Sequence, residues 1–147
     1  MSLTYASFSE TGERPVNEDT IAIKYNARAE ITLFVVADGL GGHGHGDLAS
    51  GIVCDAVTKV FEEAREPSNA LLDRCVTKAQ DTLLREKDHL GYPSILTTLV
   101  VLLVTDSGAA RWAYVGDSRL YYFHRAKLVT RTLDHSVPQL LVQSGQI

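Results

Sequence analysis

Residues 31–61 read ITLFVVADGLGGHGHGDLASGIVCDAVTKVF, and this stretch decides the fold. Residues 31–37 are rich in β-branched and aromatic side chains, which predicts a strand. Residues 38–46 contain five glycines in nine positions, so we expect a loop there. From Asp47 onward apolar residues recur every three to four positions. This spacing predicts an amphipathic helix with Asp47 as its N-cap and with Pro67 at its end.

Shorter patterns on either side of this stretch predict the remaining elements. Ser68 opens a second amphipathic helix that ends before Gly91, and Ser136 with Gln139 has the pattern of a helix N-cap and its partner. Further strands are predicted over residues 3–9, 20–25, 96–105, 111–115, 120–124 and 127–130. Strands, then two helices, then strands again indicate an α+β fold with an antiparallel sheet or sandwich, not an alternating βαβ fold.

Length, charge and cysteine content narrow the class of protein. The 147 residues suffice for one domain, and a net charge of −4 without basic runs argues against a nucleic-acid partner. The longest apolar run, residues 99–104, is too short to cross a membrane, and no secretory signal is visible. Cys54 and Cys75 fall on apolar helix faces. We therefore expect two buried, reduced thiols and a cytoplasmic protein.

Three short motifs place charged side chains next to predicted strand ends. They are Arg14 with Glu18 and Asp19, Asp38 with Gly39, and Asp117 with Arg119. Carboxylates suit Mg²⁺ or Mn²⁺, a glycine carbonyl can join them, and a guanidinium grips phosphate through two hydrogen bonds. Taken alone, the first and third motifs are better explained as ordinary turns, and a flexible connection is an alternative for the second. Together they favour a site where two divalent ions activate water to hydrolyse a phosphate ester.

The sequence gives weaker support to two other functions of the glycine-rich segment. A nucleotide-binding loop would end in Gly-Lys-Ser or Gly-Lys-Thr, or would carry three spaced glycines, and neither pattern is present. His43 and His45 could bind a metal ion, but two histidines within a glycine loop are a weak indication of a zinc site.

The ordered set of motifs resembles the PP2C-type (PPM) metal-dependent protein serine/threonine phosphatases, specifically their small bacterial members. Residues 12–19, GERPVNED, are similar to the family's G-x-R-x-x-N-E-D. Residues 36–43, VADGLGGH, are similar to its A-D-G-[ML]-G-G-H, and residues 115–119, VGDSR, to its G-D-S-R. Residues 97–100 and 134–137 also resemble family segments. The resemblance extends over essentially the whole chain.

The resemblance implies a β-sandwich flanked by helices, with two Mn²⁺ or Mg²⁺ ions at one end. It implies hydrolysis of phosphoserine and phosphothreonine on a protein substrate, in opposition to a serine/threonine kinase. By resemblance, Arg14 would bind the substrate phosphate. Glu18, Asp38 and the Gly39 carbonyl would ligate metal, with Asp38 bridging both ions. Asp19 would hold a metal-bound water, and Asp117 would belong to a third, looser metal site. Leu40 occupies the position of a proposed general acid in some members, so no general acid is assigned.

The family's later Asp-Gly and Asp-Asn motifs, which complete its first metal site, have no counterpart in this sequence. We therefore expect residues 1–147 to be the N-terminal portion of a single PP2C-like domain with an incomplete sandwich. We expect weak or no activity from this chain, and dimerisation through the uncovered sheet. The alternative function is a catalytically inactive module that binds a phosphoprotein or another partner.

Overall fold

The chain forms strands, a pair of helices and strands again, in the computed structural model, which describes residues 3–40 and 44–146. The elements are β1 (Asp19–Asn26), β2 (Ile31–Leu40), α1 (Gly46–Glu62), α2 (Asn69–Leu90), β3 (Leu96–Thr97), β4 (Leu99–Thr105), β5 (Ala110–Val115), β6 (Tyr121–His124), β7 (Lys127–Arg131) and α3 (Val137–Gln143). The predicted order of elements is confirmed.

A five-stranded antiparallel sheet forms the centre of the fold. Its main path runs β1-β2-β4-β5, and β3 pairs with the end of β2. In this register Asp19 lies opposite Asp38, and Gly39 lies opposite Thr97. β6 and β7 form a separate antiparallel pair. The predicted α+β class with antiparallel sheets is confirmed.

The core lies between the sheet and the helices. Alternate side chains of β2 (Ile31, Leu33, Val35 and Ala37) are all 0% exposed, because α1 packs across β1 and β2. Val53, Val57 and Phe61 come from the apolar face of α1, and α2 packs against both α1 and β5. Burial of these side chains is the main force that holds the helices on the sheet.

The opposite face of the sheet is also apolar but is largely open. Val36 is 41% exposed, Trp112 39% and Tyr25 57%. The Tyr5 ring meets the Phe34 ring edge-on, with 5.5 Å between centroids, so the N-terminal segment covers part of this face. Within residues 3–40 and 44–146, the strands of the expected sandwich form one five-stranded sheet and one two-stranded hairpin.

Several predicted boundaries are wrong for reasons of pairing. The described residues 3–9 belong to no strand, because they have no ladder partner. Residues 38–40 were predicted as loop, but they continue β2 because β3 supplies a partner strand. The predicted strand over 96–105 is interrupted at Thr98, where pairing passes from β3 to β4. Residues 41–43 of the predicted loop lie outside the described residues.

The ends of α1 also differ from the prediction. The helix begins at Gly46 with His45 as its N-cap, so the prediction of Asp47 as the cap is wrong, and Asp47 lies in the first turn. The helix ends at Glu62, before Pro67. The Asn26 side-chain amide donates to the carbonyls of Phe61 (3.2 Å) and Ala64 (3.1 Å), which gives partners to backbone groups that a helix end leaves free.

The predicted starts of α2 and α3 are confirmed. The Ser68 hydroxyl accepts a hydrogen bond from the Leu71 amide, and the Ser136 hydroxyl accepts one from the Gln139 amide. Gly91 ends α2 in the left-handed conformation with φ 68°.

The two cysteines are buried and unpaired, as predicted. Burial raises the pKa of the Cys54 thiol to about 12 and that of the Cys75 thiol to about 11, which keeps both unreactive. None of the described helices is long and apolar enough to cross a membrane.

Candidate functional site

Two carboxylates meet where β1 begins and β2 nears its end. Asp19 and Asp38 are direct partners in the ladder, so their side chains lie on the same face of the sheet. Burial raises the pKa of the Asp38 carboxyl, and the hydrogen-bonded Asp19 and the charge of Asp117 raise it further, whereas Arg14 acts in the opposite direction. The strand ends therefore concentrate negative charge at one point.

Glu18 places a third carboxylate beside this pair, against the start of α1. A Cβ on Gly46 would lie 2.8 Å from the Glu18 carboxyl carbon and from Oε1, so the absence of a side chain at Gly46 makes room for Glu18. A helix N-terminus favours a negative charge at this position. Arg14 Nη1 lies 3.5 Å from Glu18 Oε2, and the Arg14 side chain is 74% exposed while that of Glu18 is 15% exposed.

Gly39 lies where three backbone segments come into contact. Its amide donates to the Glu18 carbonyl at 3.0 Å. A Cβ built on Gly39 would overlap the Gly46 carbonyl and would lie 2.7 Å from the Glu18 carbonyl oxygen. The glycine therefore allows the end of β2, the segment before β1 and the start of α1 to close on one another.

A cavity of about 620 Å³ joins most of the predicted site residues. Its wall contains Arg14, Glu18, Asp38 and Gly39, with Gly44 from the segment before α1 and Asp47 from the first turn of α1. A second recess of about 230 Å³ shares Arg14, Glu18 and Asp38 and adds Asp19. The predicted convergence of Glu18 and Asp38, with Arg14 beside them, is thus present in the geometry.

Asp117 approaches the site from the turn after β5 without lining either cavity. Its charge acts on Asp38, and the turn is attached to β2 through Thr98. The Thr98 hydroxyl accepts a hydrogen bond from the Asp38 amide at 3.0 Å and lies 2.6 Å from the Ser118 hydroxyl. Arg119 is held by Asp134 at 2.6 Å, so this guanidinium already has a carboxylate partner.

Sequence reasoning missed two contributors to the site. Asp47 lines the larger cavity, and its position directly after the glycine-rich segment was the available signal. The Thr98 hydroxyl was hidden because its partners, Asp38 and Ser118, are distant in sequence. Of the two histidines, His45 stacks on the Tyr92 ring with centroids 3.8 Å apart, and His43 lies outside the described residues.

The donor chemistry of the site fits a hard divalent cation in part. Asp19, Asp38 and Asp117 raise the local negative charge, which a bound cation would relieve, and oxygen is the donor that Mg²⁺ and Mn²⁺ prefer. Among the residues that the structure describes, however, no three His, Cys, Asp or Glu side chains are close enough together to hold a metal ion. These residues therefore supply a partial set of ligands.

Comparison with known proteins identifies relatives across almost the whole chain. The family model for protein phosphatase 2C matches residues 10–138. The protein phosphatase PhpP of Streptococcus pneumoniae is 29% identical over 152 residues, which include 95% of this chain. The chain spans 58% of the length of PhpP.

Solved structures have the same fold. Serine/threonine phosphatase Stp1 from Staphylococcus aureus matches with a TM-score of 0.78 and 32% identity, over 95% of this chain and 57% of that one. The catalytic domain of PstP, determined in complex with two manganese ions, matches with a TM-score of 0.70 and 29% identity, over 91% of this chain and 56% of that one. The match over residues 10–138 decides the assignment: this chain belongs to the protein phosphatase 2C family.

Proposed function

We propose that residues 1–147 form part of a single PP2C-like domain that hydrolyses phosphoserine and phosphothreonine on proteins with Mn²⁺ or Mg²⁺. The observation that carries this proposal is the cavity shared by Arg14, Glu18, Asp38 and Gly39. Family membership supports it, and so does the manganese bound by the related PstP catalytic domain.

The role proposed for each site residue is compatible with its position. Glu18, Asp38 and the Gly39 carbonyl would hold the metal ions, with Asp19 and Asp117 adding negative charge around them. Bound divalent ions supply Lewis acidity, which lowers the pKa of water and stabilises charge on the phosphoryl oxygens. Arg14 is anchored near Glu18 but is largely exposed, so its guanidinium can bind and orient a substrate phosphate.

The full-length protein supplied with Mn²⁺ is expected to hydrolyse a phosphoserine or phosphothreonine peptide. Arg14→Ala should lower kcat/KM on the order of 10- to 100-fold, because charge-assisted hydrogen bonds to the phosphate are lost. Release of phosphate measured over a range of peptide concentrations tests this. Arg28→Ala, which removes an exposed arginine in the hairpin between β1 and β2, is the matched control and should have no effect. A full-length protein that releases no phosphate would contradict the proposal.

The second candidate is a catalytically inactive module that binds a phosphoprotein through Arg14. The incomplete ligand set among the described residues favours it for this chain. Phosphate release by the 147-residue chain, dependent on Mn²⁺, would exclude it. Peptide binding that requires both the phosphate and Arg14, without turnover, would support it.

The proposed setting is the cytoplasm of a bacterium, where the protein would act in signalling against a serine/threonine kinase. The bacterial relatives named as serine/threonine phosphatases support this setting. The two unpaired thiols, Cys54 and Cys75, are compatible with a reducing compartment.

We also propose that the open sheet face pairs with a second copy of this chain. Apolar side chains are exposed there, and β1 and β5 are edge strands of the described sheet. Light scattering of the 147-residue chain should give the mass of a dimer. Val36→Lys should give a monomer, whereas Val129→Lys, on an exposed position of β7, should leave the dimer intact. A wild-type chain that is monomeric at all concentrations would contradict this.

A further inference from the structure

Thr98 lies between the end of β2, which carries Asp38, and the turn after β5, which carries Asp117. It occupies the break between β3 and β4, and only 4% of the residue is exposed. Its hydroxyl oxygen accepts a hydrogen bond from the Asp38 amide at 3.0 Å and lies 2.6 Å from the Ser118 hydroxyl. One buried oxygen therefore joins the residue next to Gly39 to the residue next to Asp117.

Hydrogen bonds hold both the backbone amide and the backbone carbonyl of Asp38. Its carbonyl accepts hydrogen bonds from the Thr98 amide at 2.9 Å and from the Thr97 hydroxyl at 3.0 Å. Together with the bond from the Asp38 amide to Thr98, these contacts fix the backbone from which the Asp38 carboxyl projects. Several hydrogen bonds to one peptide unit limit its local movement.

Both branches of the Thr98 side chain contact the Asp117 turn. While the hydroxyl meets Ser118, the methyl group packs on Gly116, where an added Cβ would lie 2.8 Å from Thr98 Cγ2. Gly116 has a φ of 104°, a conformation that favours glycine. Serine at position 98 would keep only the hydroxyl contact with Ser118, and valine would keep only the apolar contact with Gly116.

The far side of the same turn is clamped by residues 134–135. The His135 amide donates to the Gly116 carbonyl at 2.9 Å, and the Gly116 amide donates to His135 Nδ1 at 3.4 Å. Arg119 donates to both oxygens of Asp134, at 2.7 and 2.6 Å. The turn is therefore hydrogen-bonded to residues 134–135 on one side, and the Thr98 hydroxyl attaches it to β2.

We propose that Thr98 is a positioning residue that sets the separation of Asp38 and Asp117. This inference rests on the proposed function, because it matters for catalysis only if these two carboxylates serve a metal site. Thr98 itself contacts neither metal nor substrate. It acts through the Asp38 backbone and through Ser118, as groups behind the ligands of a metal site commonly do.

The proposal is tested by measuring the affinity of the 147-residue chain for Mn²⁺ by isothermal titration calorimetry. Thr98→Val should raise the Kd about 10-fold, whereas Thr98→Ser, which keeps the hydroxyl, should stay within about 3-fold of the wild type. Thr105→Val is the matched control: it removes a hydroxyl that bonds to Ser107 at the other end of β4. It should leave the Kd unchanged even if it lowers thermal stability.

Nuclear magnetic resonance without metal provides the second readout. Thr98→Val should speed hydrogen exchange of the Asp38 amide and shift the amide signals of Asp117 and Ser118. Thr98→Ser should leave the exchange rate and these signals as they are in the wild type. If Thr98→Val matches Thr105→Val in Mn²⁺ affinity and in the Asp117 signals, the proposal is overturned. If the wild-type chain binds no Mn²⁺, the proposed metal site fails in this chain, and the exchange and shift data alone decide whether Thr98 joins the two segments.

Discussion

Gly39→Ala is expected to lower the free energy of unfolding by about 3 kcal/mol or more, the upper end of the cost of overpacking. A methyl group at this position would overlap the Gly46 carbonyl and would press on the Glu18 carbonyl, 2.7 Å away. Neither obstacle is a flexible side chain that could turn aside. The substitution must therefore separate the end of β2 from the start of α1, and urea denaturation followed by circular dichroism measures the loss.

Gly51→Ala is the matched control for this substitution. Gly51 lies within α1, and a Cβ there would meet nothing within 4 Å. Alanine is preferred over glycine inside a helix by about 1 kcal/mol, so Gly51→Ala should stabilise the chain. The same chemical change should thus destabilise the chain at Gly39 in β2 and stabilise it at Gly51 in α1. Equal stability of Gly39→Ala and wild type would show that the contact between Gly39 and Gly46 is looser than described.

Asp38→Asn is expected to abolish Mn²⁺ binding by the 147-residue chain and hydrolysis by the full-length protein. It should leave the metal-free chain at least as stable as wild type. Burial and the neighbouring Asp19 raise the pKa of Asp38, so the folded chain binds this proton more tightly than the unfolded chain does. Ionised Asp38 therefore disfavours folding at pH values above its folded pKa, and the penalty is absent below its unfolded pKa. Asparagine removes the penalty at neutral pH, together with the anionic ligand.

Thermal unfolding with and without Mn²⁺ separates these two effects. The wild-type chain should gain stability as Mn²⁺ is added, because a ligand that binds the folded state stabilises it. Asp38→Asn should show no stabilisation by Mn²⁺, but its melting temperature without metal should not be lower than that of the wild type. Asp55→Asn, which removes an exposed charge of α1 away from the cavity, should keep the gain. Retention of full Mn²⁺ response and hydrolysis by Asp38→Asn would rule out the proposed role of Asp38.

Much of the fold was predictable because each of its elements shows its own local pattern. The alternation along β2, the periodic apolar face of α1 and the serine caps of α2 and α3 depend on near neighbours only. The candidate site residues Arg14, Glu18, Asp19, Asp38 and Gly39 were selected from sequence because their motifs occur in the order seen in a known family. The structure places them around two cavities that share Arg14, Glu18 and Asp38.

The features that escaped prediction depend on partners distant in the chain. Residues 38–40 open the glycine-rich segment that predicts a loop, yet they are strand because they pair with residues 96–97 of β3. Residues 3–9 alternate like a strand but have no ladder partner within the described chain. The Asn26 amide that donates to carbonyls at the end of α1 comes from β1, and the role proposed for Thr98 depends on both β2 and the turn after β5.

Trp112 gives the open sheet face a spectroscopic label. It is the single tryptophan of the sequence, and it lies on that face with 39% of its surface exposed. Indole fluorescence shifts to shorter wavelength when water is excluded from the ring. The emission maximum of the unmodified chain therefore reports directly on whether another protein surface has covered this side of the sheet, with no dye or tag required.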